Sequence, residues 1–320
     1  MRKEQVRNRQ ATAGWLLALA IITSIGFAQA ESPLANQAVE QVGFGEINWT
    51  GGWIHARGVG RSSEQATGEE RRAQAERAGY LMAVRNLAEI INGVRVDAEA
   101  TVDRYLQKNE VVRTRVNGFI RGAQIEHSRE LADKSVEVSV KMPLWGPASL
   151  VTAFLPEKGA SDTMGLERKG EEGYTGLIID ARGLGLKPAC FPVILDQHGV
   201  PLYGPHTVER EAMENNGMVE YQALPAKKDI SYLCGEEMYI IKPVQAAPAP
   251  REGKSPLRLK GIGKAGSLQA NVLVSQDDAA KLREDAGLAR ALRRGKVVIV
   301  TDPLIGGMEG RAPGPLLAGR

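Results

Sequence analysis

Hydrophobic and polar positions alternate most clearly in "SVEVSVKMPL" (Ser135 to Leu144). There Val136, Val138, Val140 and Met142 face one way, and Glu137, Ser139 and Lys141 face the other. A period of two predicts a half-buried antiparallel strand. "WIHARGVG" (Trp53 to Gly60) repeats the pattern, with Ile54, Ala56 and Gly58 alternating with His55, Arg57 and Val59. Between these runs the period changes. From Gly68 to Asn92, Leu81, Val84, Ala88 and Ile91 share one helical stripe, acids occupy the first turn and Gly93 follows, which predicts a long helix. "GVRVDAEATVDRYLQKNEVV" continues as a short extended piece and a second helix, and "GFIRGAQIEHS" (Gly118 to Ser128) reads as a strand joined to Ser135–Leu144 by "RELADK". Helices must cover the apolar face of such a sheet, so residues 48–155 are expected to form a two-layer α+β domain with a small antiparallel sheet.

Residues 156–173, "PEKGASDTMGLERKGEEG", are polar and aperiodic and read as a linker. A second, mixed α/β domain is expected over 174–302. It opens with a strand from Thr175 to Ala181, followed by a hairpin in which Val193–Leu195 and Val200–Tyr203 flank "DQHG". "TVEREAMENNG" gives a short helix ending at Gly217, and "EEMYIIKPV" and "PLRLKGIG" give strands on either side of a Pro/Ala-rich loop, residues 243–256. A strand ending at Ser275 leads into a helix that Ser275 caps, with Asp277 and Asp278 in its first turn, and "KVVIVTD" forms the last strand. Residues 303–320 are rich in Gly and Pro and read as a flexible tail.

The first thirty residues stand outside this scheme. Arg2, Lys3, Arg7 and Arg9 precede the apolar run "WLLALAIITSIGF", and Ala28 and Ala30 place small residues at the cleavage positions, the pattern of a secretory signal peptide. The run falls short of the roughly 20 residues that cross a bilayer as a helix, and no cysteine lies near the cleavage point for lipid attachment. The expectation is a periplasmic protein beginning at Glu31, with no stable membrane span. Removing this segment also changes the charge. The chain holds 41 Lys+Arg and 38 Asp+Glu; without the four basic residues and one acid of residues 1–30, 37 of each remain. A balanced chain lacks the basic excess on which nucleic-acid affinity rests, so no nucleic-acid partner is expected.

The stretch "LIIDARGLGLKPA" (Leu177 to Ala189) raises the question of a nucleotide site, because an apolar run and an acid precede Gly183 and Gly185. A dinucleotide turn needs a third glycine and a helix whose N-terminus meets the pyrophosphate. Pro188 stands where the third glycine would fall, and the following segment is strand-like. The residues describe a turn between strands, with Asp180 and Arg182 as a local ion pair. Among the four histidines, His198 and His206 flank the hairpin near Asp196, but the spacing fits no zinc signature. No catalytic, cofactor-binding or metal-binding residue is therefore assigned. The alternative is a periplasmic hydrolase or metal-dependent enzyme whose site gathers Asp180, Asp196 and His198. Cys190 and Cys234 are the only cysteines, and an even pair in an exported domain predicts a disulfide.

Through "GEINWTGGWIHARGVG", the helix "RAGYLMAVRNLAEIINGVRVDAEATV" and the segments "VNGFIRGAQI" and "SVEVSVKMPL", the first domain resembles the Lpp-twenty lipoprotein-like domain, which is similar to the N-terminal domain of the flagellar assembly protein FlgT. "TGLIIDARGLGLKPA", "GVPLYG" and "VLVSQDDAAKL" look like the uncharacterised region that follows this domain in exported bacterial proteins. The resemblance implies a non-catalytic binding or assembly role in the cell envelope, flagellum-associated in some relatives. Its partners would be envelope or flagellar basal-body proteins or a second copy of the chain, and it implies no cofactor.

Overall fold

A computed structural model of the chain describes residues 36–155, 173–225 and 251–304. The expected signal segment with Ala28 and Ala30, most of the linker, the strand "EEMYIIKPV" and the greater part of the tail lie outside these residues.

The first part is an antiparallel sheet built from β1 (Val39–Val42), β2 (Gly45–Asn48), β3 (Trp53–Gly60), β4 (Gln124–Glu130) and β5 (Val136–Pro143), in the order β1-β2-β3-β5-β4. The expected alternation of β5 holds: Val136, Val138, Val140 and Met142 are buried against the helical layer. The layer is led by α1 (Gly68–Gly93), followed by α2 (Val102–Lys108), α3 (Glu110–Arg121) and the short α4 (Leu150–Phe154).

The expected stripe of α1 holds at Ile91, with Val84 and Ala88 partly buried against the core, but not at Leu81. Leu81 is 59 % exposed, whereas Ala75, Gly79, Ala83, Leu87 and Ile91 are buried. The cause lies in the sheet. A Cβ on Gly58 would stand 2.2 Å from the Ala83 nitrogen, and one on Gly60 would stand 2.1 Å from the Ala75 carbonyl oxygen. At so close an approach only small residues fit on the helix, and the larger Leu81 turns outward.

The segment Gly118–Ser128 also differs, since Gly118–Arg121 ends α3 and the strand begins only at Gln124. The Asn109 side chain caps α3 by accepting from the Val112 amide; Val112, Val116 and Ile120 form its buried stripe, and Gly122 follows its end. These are ordinary helix signals, and they outweigh the local apolar alternation.

The second part contains two sheets. β6 (Leu177–Asp180), β9 (Glu220–Ala223), β10 (Leu257–Lys260) and β13 (Val297–Thr301) form an all-parallel sheet in the order β10-β6-β13-β9. β7 (Ile194–Asp196), β8 (Pro201–Tyr203), β11 (Gly263–Ala265) and β12 (Asn271–Val274) form a mixed sheet in the order β11-β12-β7-β8. Helices α5 (Arg210–Asn216), α6 (Gln276–Glu284) and α7 (Ala286–Arg293) connect them. The expected first strand, hairpin, short helix and last strand are all present. Ser275 caps α6, its hydroxyl accepting from the Asp278 amide at 3.2 Å. β13 is buried throughout, as a parallel strand between two neighbours should be.

The protein is thus an α+β fold, with an antiparallel sheet under helices followed by a mixed α/β part. The two parts share one apolar core, which runs from Ala38 and Trp49 to Tyr221 and Ile299. Backbone hydrogen bonds cross between them: the Cys190 amide donates to the Arg95 carbonyl at 3.0 Å, Phe191 to Val96 at 2.8 Å and Leu268 to Ala98 at 2.7 Å. A bridge between Gln37 and Gln222 ties the start of the first part to β9.

Candidate functional site

The residues singled out in the second part are each engaged in local structure. Asp180 ends β6, and Arg182 donates to both of its carboxylate oxygens at 2.7 Å. This pairing holds the carboxyl below its ordinary value, against the opposing effect of burial. The Gly183 amide, which a phosphate site would require, donates instead to the Asp302 carboxylate at 2.8 Å. Asp196 folds the hairpin turn by accepting from the amides of His198 and Val200, each at 2.9 Å, and pairs with Arg283 at 2.8 Å. The His198 ring meets the neighbouring Gln197 side chain. Asp180 and Asp196 therefore serve different sheets, and among the described residues no cluster of three His, Cys, Asp or Glu side chains could hold a metal ion. Among the described residues Cys190 has no disulfide partner; it is 4 % exposed, and burial pushes its thiol up to about 12. Cys234, its expected disulfide partner, lies outside the described residues.

A different place forms an open groove. A groove of about 680 Å³ opens at one end of the first sheet, between the β2–β3 turn, the end of α3, the start of β4 and the loop after β5. That volume falls within the range of roughly 300–1,000 Å³ usual for ligand sites. Two indoles, Trp53 and Trp145, line it together with Phe119 and Ile125. Ile125 is 47 % exposed.

Glycines make room for the indoles. Gly52 has φ +70, and a Cβ there would stand 2.3 Å from the Trp145 ring; a Cβ on Gly51 would stand 2.6 Å from the Trp53 ring nitrogen. Trp145 is held on its other side by Gly217, where a Cβ would lie 3.1 Å from the ring. The Gly146 amide donates to the Glu214 carbonyl at 2.6 Å, so the wall of the groove is anchored to the second part.

The polar side of the groove is a connected row. The Lys141 ammonium lies 4.9 Å from the centre of the Trp53 ring and 3.4 Å from Glu126. Glu126 also stands 3.4 Å from the His55 ring nitrogen, and His55 meets Trp53 edge-on at 6.2 Å. Burial lowers the His55 pKa further than the Glu126 carboxylate raises it, so this histidine is neutral at pH 7. The groove thus combines aromatic walls, an exposed aliphatic residue and a few fixed charges.

The groove lies at the start of β4, whose outer side no described strand pairs. β3 and β5 are interior strands, and β4 is the edge beside the groove. The charges on the edge itself are Glu126, Arg129 and Glu130, with His127 between them. A sequence clue to the groove was present in "TGGW", where paired glycines precede a tryptophan, but Trp145 joins it only through the tertiary fold.

These features define an α+β protein with an aromatic-lined groove at one end of its first sheet. Its residues 176–303 match the family model described as the second domain of Treponema pallidum Tp0624, and the Lpp-twenty and FlgT resemblance of residues 48–155 has no matching family model. No curated protein matches the chain. Among the described residues no helix is long and apolar enough to cross a membrane.

Proposed function

We propose that the protein is an exported periplasmic protein with a non-catalytic binding or assembly role in the cell envelope, acting through the groove and the adjoining edge of the first sheet. The observation that carries this reading is the juxtaposition of two lining indoles and the exposed Ile125 with a strand edge open to pairing. Unpaired edges either need protection or accept a partner's strand. The resemblance of residues 48–155 to the Lpp-twenty and FlgT domains supports envelope or flagellar basal-body proteins as partners, and the same edge admits a second copy of the chain. The enzyme alternative finds no support in Asp180, Asp196 or His198, whose polar groups are committed to turns and to Arg182 and Arg283.

The test is crosslinking in cells followed by co-purification from envelope extracts, with the wild type compared with Ile125→Asp, a surface change that leaves the core intact. The wild type is expected to capture a defined set of envelope proteins that the variant loses. Capture of the same set by a folded variant would remove the groove from the reading, and absence of any specific capture would remove the binding role. Mass measurement of the periplasmic protein is expected to show a chain starting at Glu31. An intact Met1 chain in the membrane fraction would refute export with cleavage.

A further inference from the structure

Two domains of one chain usually meet through a modest, polar interface and move relative to one another. The seam between the two parts of this protein is of another kind. It is built at three separate places, and each commits backbone groups or buried side chains.

The first place is one side of the parallel sheet. β9 is the outermost strand there, and an edge strand carries unpaired amides and carbonyls. The beginning of the first part closes this edge. The Ala223 amide donates to the Asn36 carbonyl at 3.0 Å, Gln37 bridges Gln222, and the Thr50 hydroxyl donates to the Tyr221 carbonyl. Thr50 accepts in turn from the Ala38 amide at 2.8 Å. Beside these bonds Trp49 meets Tyr221 edge-on at 6.0 Å, and both side chains are buried.

The second place is the loop after α1. The amides of Cys190, Phe191 and Leu268 donate to the carbonyls of Arg95, Val96 and Ala98, and the Arg95 guanidinium reaches the Pro188 carbonyl at 2.6 Å. Gly266 has φ +87, and a Cβ there would stand 2.3 Å from the Ala98 Cβ, so the two chains touch where no larger residue fits. At the third place Trp145 packs on Gly217, and the Gly146 amide donates to the Glu214 carbonyl. None of these contacts uses residues 156–172, which join the parts along the chain. Separation would open the β9 edge and bring the apolar surface between Trp49 and Tyr221 into water.

We infer that the first part is an obligatory partner of the second: the surface formed by β9 and residues 188–191 and 266–268 accepts a domain of the first part's kind, with or without a covalent tether. The partner it fits offers an extended segment that gives a carbonyl to Ala223 and a hydroxyl to Tyr221. It also offers a loop that presents carbonyls to Cys190 and Phe191 and an arginine to Pro188. The family-matched region 176–303 is thus one component of a larger unit. This inference stands independently of the binding role proposed for the groove.

The experiment replaces part of residues 156–172, in the chain from Glu31, with the site of a sequence-specific protease and cuts the folded protein. The two fragments are expected to co-migrate on size exclusion at about 1 μM and to unfold in one transition. Arg95→Met is expected to raise the concentration at which they separate by at least about tenfold. Thr50→Val, which keeps the side-chain shape and loses the hydroxyl, is expected to act in the same direction by a smaller factor. Arg61→Ala, an exposed change beside Asp133, is expected to leave that concentration unchanged. Separation of the wild-type fragments with each keeping its circular dichroism overturns the inference in favour of two autonomous domains. Precipitation on cutting shows that the tether is required and overturns it as well. Co-migration with two separate unfolding transitions overturns the mutual dependence, and equal separation in the wild type, Arg95→Met and Thr50→Val overturns the assigned seam.

Discussion

Arg95, just after the long helix of the first part, donates through Nε to the backbone carbonyl of Pro188 in the second part at 2.6 Å. The same guanidinium pairs with both oxygens of Glu40 and lies 5.6 Å from the centre of the Trp49 ring. Burial acts to raise the Glu40 carboxyl, and Arg95 overrides it, holding the group below its ordinary value. Removing one partner of a buried pair leaves the other charge uncompensated. Arg95→Met is therefore expected to lower unfolding stability by about 3 kcal/mol, with Glu40→Gln in the same chain restoring much of it. Urea melts of the two variants and the wild type check this, and equal loss in the single and double variants would contradict it.

The helix–sheet contact of the first part predicts opposite outcomes for two glycines. A Cβ at Gly60 would meet the Ala75 oxygen and the Gly79 nitrogen, both at 2.1 Å, and neither backbone atom can step aside. Gly60→Ala is expected to destabilise by about 2–3 kcal/mol through overpacking. Gly118 sits inside α3 with nothing within 4 Å of a built Cβ. Gly118→Ala is expected to stabilise by about 0.5–1 kcal/mol, the difference in helix propensity. Thermal melts followed by circular dichroism separate the two signs.

Glu252 gives a pH dependence of known direction. It is 3 % exposed, and burial, reinforced by Glu220, pushes its carboxyl up to about 7, while Arg258 and Arg251 oppose the shift. Arg251 is itself spent on the carbonyls of Asn216, Gly217 and Gly295. The folded state holds this proton more tightly than the unfolded chain, so the contribution is fully present below the ordinary value of 4.5 and is lost as pH rises through about 7. Glu252→Gln, which stays neutral, is expected to gain stability relative to the wild type as pH rises from about 4.5 to about 8. A constant difference across that range, measured by urea melts, would show that Glu252 is not the group responsible.

Cys190 is expected to resist alkylation in the folded protein, because the thiolate is the reactive form and burial holds the thiol near 12. In denaturant without reductant it should label unless it is bridged to Cys234, the disulfide expected from the sequence. Mass spectrometry of the labelled protein reads both states. Labelling of the native protein would contradict the burial, and failure to label after unfolding would mean that Cys190 is bridged to Cys234.

Elements whose signals are local were legible in the sequence. Alternation placed β5, "DQHG" placed the hairpin that Asp196 closes, and Ser275 with Asp278 marked the start of α6. In each case the hydrogen bonds or the burial pattern that define the element come from residues adjacent or nearly adjacent in the chain. The candidate leader and the departure from a dinucleotide motif at Pro188 rest equally on local residues. Tertiary structure decided the rest. Which stripe of α1 faces inward was set by Gly58 and Gly60 on a neighbouring strand, so Leu81 points outward despite its helical phase. The edge of the first sheet falls on β4 because β3 and β5 pair with each other, a long-range choice that alternation within a single strand cannot encode. The groove required Trp145 to pack over Gly52 while Trp53 lies against Gly51, with Gly217 from the second part also against the Trp145 ring. No spacing along the chain announces a site assembled from four separate segments, because its geometry exists only once both parts close around their common core.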